Sequence, residues 1–317
     1  MKTLAIASGK GGAGKTSVAA AISAWFSSRG ISGDCDVDAA NGAIALGARE
    51  KQSEEYWSGE GYEIEPESCS GCGLCAKACR FGAIRRGGGD GRVSGAGAAF
   101  LIDEALCERC GACVDVCPAG AVKTIRKLGG RLSVSDTRFG STLVHAELVP
   151  GEDTSGKLVR AVRLRAEREA GASAVPMELM ALDAPPGIGC PVIASLSGVD
   201  LVLVVIEAGS SGVHDAARLF ELLKGMGRRA VAVINKAGLD PAWDDKARRL
   251  AAGWDAQILA ELPFDARLRR STERGEAWVR SNDAFVRNLA GSLCAAVETA
   301  LGLASEPAIE SAITDIT

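Results

Sequence analysis

Gly9-Lys10-Gly11-Gly12-Ala13-Gly14-Lys15-Thr16 is the stretch on which the reading of this chain turns. It satisfies the pattern G-x-x-x-x-G-K-S/T and stands where that pattern needs to stand. Before it, Thr3 to Ser8 is a short apolar run of β type; after it, Ser17 to Ser28 is apolar-rich and of helical length. Strand, glycine loop and helix together make a phosphate loop rather than an ordinary glycine turn. The backbone N–H groups of Gly11, Gly12, Ala13 and Gly14 converge on phosphate oxygens. The helix offers them its positive end, Lys15 reaches the β and γ phosphates, and the Thr16 hydroxyl, with Ser17 beside it, suits Mg²⁺ and phosphate.

Working outward, Met177 to Leu182 is a second apolar run and ends in Asp183-Ala184-Pro185-Pro186-Gly187. Leu201 to Ile206 and Ala230 to Ile234 are two more. Near-continuous apolar runs of this length fit strands buried on both faces of a parallel sheet. Helical stretches fall at Val213–Lys224, Trp243–Ala252 and Asp283–Leu303, so the expected fold is α/β, a doubly wound, mostly parallel sheet. Arg131 to Ala146 alternates as strands do. Lys157 to Glu169 is helical and basic, a solvated face to which no function is assigned. Glu50 to Glu67 is polar and carries Gly59 and Gly61; it is expected to be a connector.

Beyond it the cysteines begin. Cys69-x2-Cys72-x2-Cys75-x3-Cys79 recurs as Cys107-x2-Cys110-x2-Cys113-x3-Cys117-Pro118, with a glycine-rich spacer at residues 87–91 between the copies. This is the bacterial ferredoxin run twice. Three thiolates embrace one [4Fe–4S] cluster and the fourth of each run ligates the other. Cys69, Cys72, Cys75 and Cys117 are therefore expected at one cluster, and Cys107, Cys110, Cys113 and Cys79 at the second. Zinc sites use four ligands in two pairs and have no need of this spacing twice. Arg80 takes the place of the usual proline after the first run, which removes no ligand. The expected division is residues 1–60 and 128–304 as one phosphate-loop domain, 61–127 as an inserted small α+β ferredoxin-like domain, and 305–317 as a tail.

The chain has 317 residues, 47% hydrophobic and 24% charged, with a net charge of −4, and so has no general attraction for nucleic acid or anionic membrane. The short apolar start does not make an export signal and no run is long enough to span a bilayer, so a cytoplasmic location is expected. Eleven cysteines under reducing conditions point to metal rather than disulfides.

With its second lysine, Lys10, the loop resembles that of the deviant Walker A ATPases, the MinD/ParA superfamily, which is related to Mrp-type and nitrogenase iron-protein-type ATPases. The order of phosphate loop, Asp34-Cys35-Asp36-Val37-Asp38, cysteine insert, Asp183 to Gly187, Asn235-Lys236 and Pro263-Phe264-Asp265 is similar to that of family members carrying an inserted ferredoxin domain. The resemblance implies a nucleotide-dependent dimer, of two copies or with a paralogue, in which Lys10 crosses to the partner's phosphates. It implies Asp36, with Asp38 second, as the group that positions the attacking water. Asp183 would hold Mg²⁺ through water, Gly187 would swing toward the γ-phosphate, and Asn235, Lys236 and Pro263 would contact the base. The bland readings are a surface lysine at Lys10 and a strand-end cap at Asp183.

Between Arg29 and Asp34 only Gly30-Ile31-Ser32-Gly33 stands where the family has a hydrophobic strand. That strand is expected to be truncated, leaving neighbouring helices uncovered and Asp36 displaced. Cys35 and Cys190 are either small buried hydrophobes or, as in the nitrogenase iron protein, ligands to something bridging two subunits. Cys294 is expected in the core, and His145 and His214 lack ligand-like company. The implied function is ATP hydrolysis coupled to iron–sulfur or other metal-cofactor assembly and delivery to a client metalloprotein. The alternative is nucleotide-gated electron carriage to a redox partner. A ParA- or MinD-type positioning role ranks third, because the tail Pro307 to Thr317 contains no basic amphipathic helix.

Overall fold

The computed structural model describes residues 1–87, 100–152 and 155–303, without the side chains of 58–60. The glycine spacer, but for Gly87, and the tail therefore lie outside the described residues. The chain divides into two compact units. The larger comprises Met1–Glu54, Arg131–Leu148 and the chain from Ser155 onward; the smaller comprises Glu55–Gly130 and Val149–Thr154. In order the elements are β1 (Lys2–Ala7), α1 (Lys15–Trp25), β2 (Gly30–Asp34), α2 (Gly42–Ala45), β3 (Arg49–Ile64), α3 (Leu74–Ala78), β4 (Ile84–Arg86), β5 (Phe100–Ile102), α4 (Ala112–Asp115), β6 (Val122–Asp136) and β7 (Thr142–Leu148). Then follow α5 (Ser155–Ala172), β8 (Leu179–Asp183), α6 (Cys190–Leu196), β9 (Leu201–Glu207), α7 (Ser210–Gly225), β10 (Ala230–Ala237), α8 (Pro241–Gly253), β11 (Gln257–Pro263), α9 (Ala266–Glu273) and α10 (Ala284–Leu301).

Among the described residues, nine strands form one sheet in the order β11-β10-β9-β1-β8-β2-β7-β6-β3. From β11 to β7 every neighbouring pair is parallel. Alternate residues Leu4, Ile6, Leu201, Leu203, Val231 and Val233 join one core cluster with α1 and α10, while Ala5, Ala7, Val202, Val204, Ala232 and Ile234 are equally buried on the other face. A sheet covered on both faces explains the unbroken apolar runs. α10 is tied down by buried Glu298, which accepts from Trp25 Nε1 at 2.9 Å and pairs with Arg29.

Two expectations need correction. The segment before Asp34 is not a truncated strand: β2 runs the full five residues, all buried, parallel to β8 on one side and β7 on the other. Its glycines replace bulk because neighbours supply it. A Cβ on Gly33 would lie 2.8 Å from Leu182 Cδ2, and one on Gly30 would lie 2.9 Å from Phe26 Cβ. Likewise, Glu50 to Glu67 is no connector, since most of it belongs to β3. An edge strand needs few apolar side chains, and the polar ones of Arg49–Glu55 are exposed.

In the small unit β4 and β5 pair antiparallel, and Ile64, Ile84, Phe100, Ala121 and Val122 enclose Cys75 and Cys113 in a common core.

Candidate nucleotide site and cysteine centre

Asp36, Asp183, Asn235, Lys236 and Pro263 stand at or just beyond the carboxyl end of a parallel strand, where ligands of such sheets bind, and Lys15, Thr16 and Ser17 open the helix that follows β1. Asp183 ends β8 opposite Ile6 of β1, and Asp34 ends β2 opposite Asp183. The loop from Gly9 to Gly14 therefore opens beside both carboxylates. Gly12 and Gly14 hold φ of 77° and 89°, conformations a side chain resists. A Cβ on Gly9 would fall 2.3 Å from the backbone of Asp215 in α7, so only glycine lets the loop start there.

Lys15, buried at the start of α1, donates from Nζ to Asp183 Oδ1 at 2.6 Å. Both side chains are more than nine-tenths covered. Asp34, which the motif reading passed over, completes the group. Its Oδ1 accepts from the Asp36 N–H at 3.0 Å and its Oδ2 from the Gly42 N–H at 2.8 Å, so one carboxylate folds the segment 35–42 over the strand ends. Burial, then the nearby Asp183 charge, push the Asp34 carboxyl up to about 7, against the pull of those N–H groups and Lys15. Asp36 is half-buried with its carboxyl also raised by burial, and Asp38 is exposed. A small cavity beneath the loop is lined by Thr16, Ser32, Asp34, Gly42 and Asp183.

On the other side, β10 braces the loop. Asn235 Nδ2 donates to the Ala13 carbonyl at 2.7 Å and Lys236 Nζ to that of Gly12 at 3.0 Å, while the Phe264 N–H donates to Ala237 beside Pro263. Lys10 Nζ donates to Ser211 Oγ at 3.0 Å and lies 3.2 Å from Glu207 Oε2. Glu207, like Asp34, was missed; the available signal was an acid closing an apolar run at a strand end. Gly187 has φ of 94°, and its N–H reaches the Ser8 carbonyl at 3.0 Å. Cys35 is fully buried, which pushes its thiol up and suits the small buried hydrophobe of the two readings; Cys190 is exposed. Cys294 is core, and His145 contacts Ser135 Oγ.

In the small unit the two cysteine runs take the same backbone course. Gly71 and Arg109, Gly73 and Gly111, and Gly82 and Gly120 all have positive φ at matching places. The Glu65 N–H donates to Ala121 where the Asp103 N–H donates to Ala83. Arg109 holds this conformation with its guanidinium on Glu152 in two bonds of 2.7 and 2.6 Å.

All eight thiols are free. Burial, and in smaller measure the nearby Cys117 and Cys69, push the Cys75 thiol up; burial, and in smaller measure Cys107 and Cys110, push up that of Cys113. A hollow is lined by Cys79, Cys107, Cys110 and Cys113 together with Tyr62 and Phe81. Among the described residues no three acidic, cysteine or histidine groups converge on one ion, whereas a four-iron cluster wants its sulfurs spread apart. Cys117 Sγ accepts the Ala121 N–H at 3.3 Å; burial opposes its ionisation, but this and neighbouring N–H groups outweigh burial and lower its thiol pKa. The donor set fits thiolate-bound clusters.

The family model described as the CobQ/CobB/MinD/ParA nucleotide binding domain matches residues 4–278. An uncharacterized protein of Methanocaldococcus jannaschii, MJ0578, is 35% identical over 264 residues, covering 83% of this chain and 84% of that one. Among solved structures, the MinD cell division protein of Aquifex aeolicus is similar at TM-score 0.55 and 17% identity, over 97% of this chain and 99% of that chain. MinD of Pyrococcus horikoshii complexed with Mg-ADP is similar at 0.55 and 17%, over 95% and 97%. At these identities the structural likeness speaks for the fold alone. With the phosphate loop seated among the strand-end carboxylates of such a sheet, and the family model matching most of its length, the chain belongs to the CobQ/CobB/MinD/ParA nucleotide-binding family.

Proposed function

We propose that the protein is a Mg²⁺-dependent ATPase that works as a dimer, with itself or a paralogue, and that its small unit carries two [4Fe–4S] clusters used in building or delivering a metal cofactor to a client metalloprotein. One observation carries this reading: a single chain joins a loop lysine paired to a strand-end aspartate, Lys15 to Asp183 at 2.6 Å, with two cysteine runs of matching backbone course. The N–H groups of Gly11 to Gly14, with Lys15 and Ser17, hold the phosphates. Thr16 and, through water, Asp183 hold the metal, and Asn235, Lys236 and Pro263 border the base. Asp36 orients the water that attacks the γ-phosphorus, and Lys15 and Lys10 stabilise charge on the phosphoryl oxygens. The clusters supply one-electron chemistry, and Cys69, Cys72, Cys75 and Cys117, with Cys107, Cys110, Cys113 and Cys79, hold them. The net charge of −4 gives no general attraction for nucleic acid. Among the described residues no helix is long and apolar enough to cross a membrane.

A second reading, nucleotide-gated electron carriage, is favoured by the placing of Cys75 and Cys113 in one small core, since clusters bound through them would lie close together. Anaerobic purification followed by iron analysis, EPR and ATPase assay, on native protein and Lys15→Ala, tests both. About eight irons per chain in both proteins, with hydrolysis lost in the variant, supports the clusters and the ATPase. Loss of iron to an apo-acceptor on ATP addition favours delivery; retained iron with an ATP-dependent potential favours electron carriage. Zinc in place of iron, or no hydrolysis with any partner, sinks the proposal. Since solved likenesses include MinD proteins, vesicle co-sedimentation is the control for a positioning role.

A further inference from the structure

Lys10 is an ammonium in a loop built for polyphosphate, yet its charge is taken up elsewhere. Its Nζ lies 3.2 Å from Glu207 Oε2 and donates to Ser211 Oγ at 3.0 Å. The same oxygen lies 3.3 Å from Lys236 Nζ, whose own hydrogen bond goes to the Gly12 carbonyl. Glu207 Oε2 is buried and has no partner at hydrogen-bonding angles, so it attracts both ammonium groups by charge while being fully satisfied by neither. Its position is fixed by close backbone packing. Glu207 is the last residue of β9, and a Cβ on Gly212 in the first turn of α7 would lie 2.3 Å from its carbonyl oxygen. Lys10 and Glu207 are 27% and 19% exposed, so solvent weakens the attraction without abolishing it.

We propose that Glu207 is the positioning residue for Lys10: it holds the lysine against its own chain, and Lys10 must leave it to meet nucleotide phosphate across a dimer. The inference rests on the dimeric ATPase reading. Phosphate oxygens carry more negative charge than one carboxylate and present more acceptors, so ATP on a facing copy competes for the lysine where an empty site does not. The differential interaction that biases open against closed forms is then the exchange of Glu207 for phosphate.

Two variants separate this from a merely structural role. Glu207→Gln keeps the shape and removes the charge; Ser211→Ala removes the hydrogen bond to Lys10 without touching Lys236. In nucleotide-free full-length protein, limited amine acylation read by mass spectrometry should label Lys10 about two- to fivefold faster in Glu207→Gln, the factor a partly exposed ion pair carries. The rise should be smaller in Ser211→Ala, and Lys51, whose side chain is 59% exposed, should not change in either. With Mg·ATP, sedimentation velocity should show dimerisation tightened roughly fourfold or more in Glu207→Gln, since two such pairs open per dimer. Unchanged Lys10 labelling overturns the proposal, as does faster labelling with unchanged or weaker dimerisation. If native protein never self-associates with Mg·ATP, the self-dimer reading fails by itself, and the labelling alone decides whether Glu207 holds Lys10.

Discussion

Asp34 shows what a single side chain does at this site. Its carboxyl is pushed from an ordinary 3.8 to about 7, mainly by burial, so the folded chain keeps a proton that the unfolded chain has given up. Folding then takes up a proton between about pH 4 and 7. The contribution of Asp34 to stability is greatest at the acid end, falls as pH rises through that window, and is level above it. Denaturation of nucleotide-free protein at several pH values should show Asp34→Asn gaining on the native chain as pH rises toward 7; a pH-independent difference would refute the shift. Lys15→Ala should lower ATP turnover at least about a hundredfold, as loss of a preorganised charge at a transition state does. Lys15, Thr16 and Asp183 were legible in the sequence because local pattern determines them. Asp34 and Glu207 were not, because their importance comes from strand register, which sets Asp34 opposite Asp183 and Glu207 opposite Asn235.

Elements were legible in proportion to how much of their surface is buried. β9 and β10, covered on both faces, announce themselves as apolar runs; β3, at the edge, does not, and β2 hides because Phe26 and Leu182 fill the space its glycines leave. Gly33→Val should therefore overpack β2 and lower stability by about 1–3 kcal/mol in denaturant unfolding. Its shape, more than its hydrophobicity, is what that strand contributes. α10 depends on a buried charge network: Glu298 accepts from Trp25 and pairs with Arg29, which also donates to Glu178 at 2.6 Å. Removing Glu298 takes the acceptor from Trp25 Nε1 and leaves Arg29 with its Glu178 bond, so Glu298→Ala should cost about 1–3 kcal/mol. A midpoint within error of the native one would show that the network contributes nothing.

For the whole molecule, the sequence already revealed two architectures in one chain, because a phosphate loop and a doubled cysteine run each carry their own spacing. The uneven division of stability is less visible there. The large unit owns an extensive apolar core, whereas the small one encloses a handful of side chains around Cys75 and Cys113. On the proposed cluster reading, iron removal by a chelator should accordingly release amide protection in residues 55–87 and 100–130 and leave β1, β8 and β9 protected in hydrogen exchange. Uniform loss across both units would contradict this. The buried pair of Lys15 and Asp183 also makes metal and nucleotide interdependent. Lys15 can turn to a phosphate only if Asp183 receives another cation, for otherwise that carboxylate stays buried beside Asp34 without a counter-ion. By linkage each ligand strengthens the other by the same factor. ATP offered in a chelator should thus bind far more weakly than Mg·ATP, making the site a coincidence detector for the two together rather than a receptor for either.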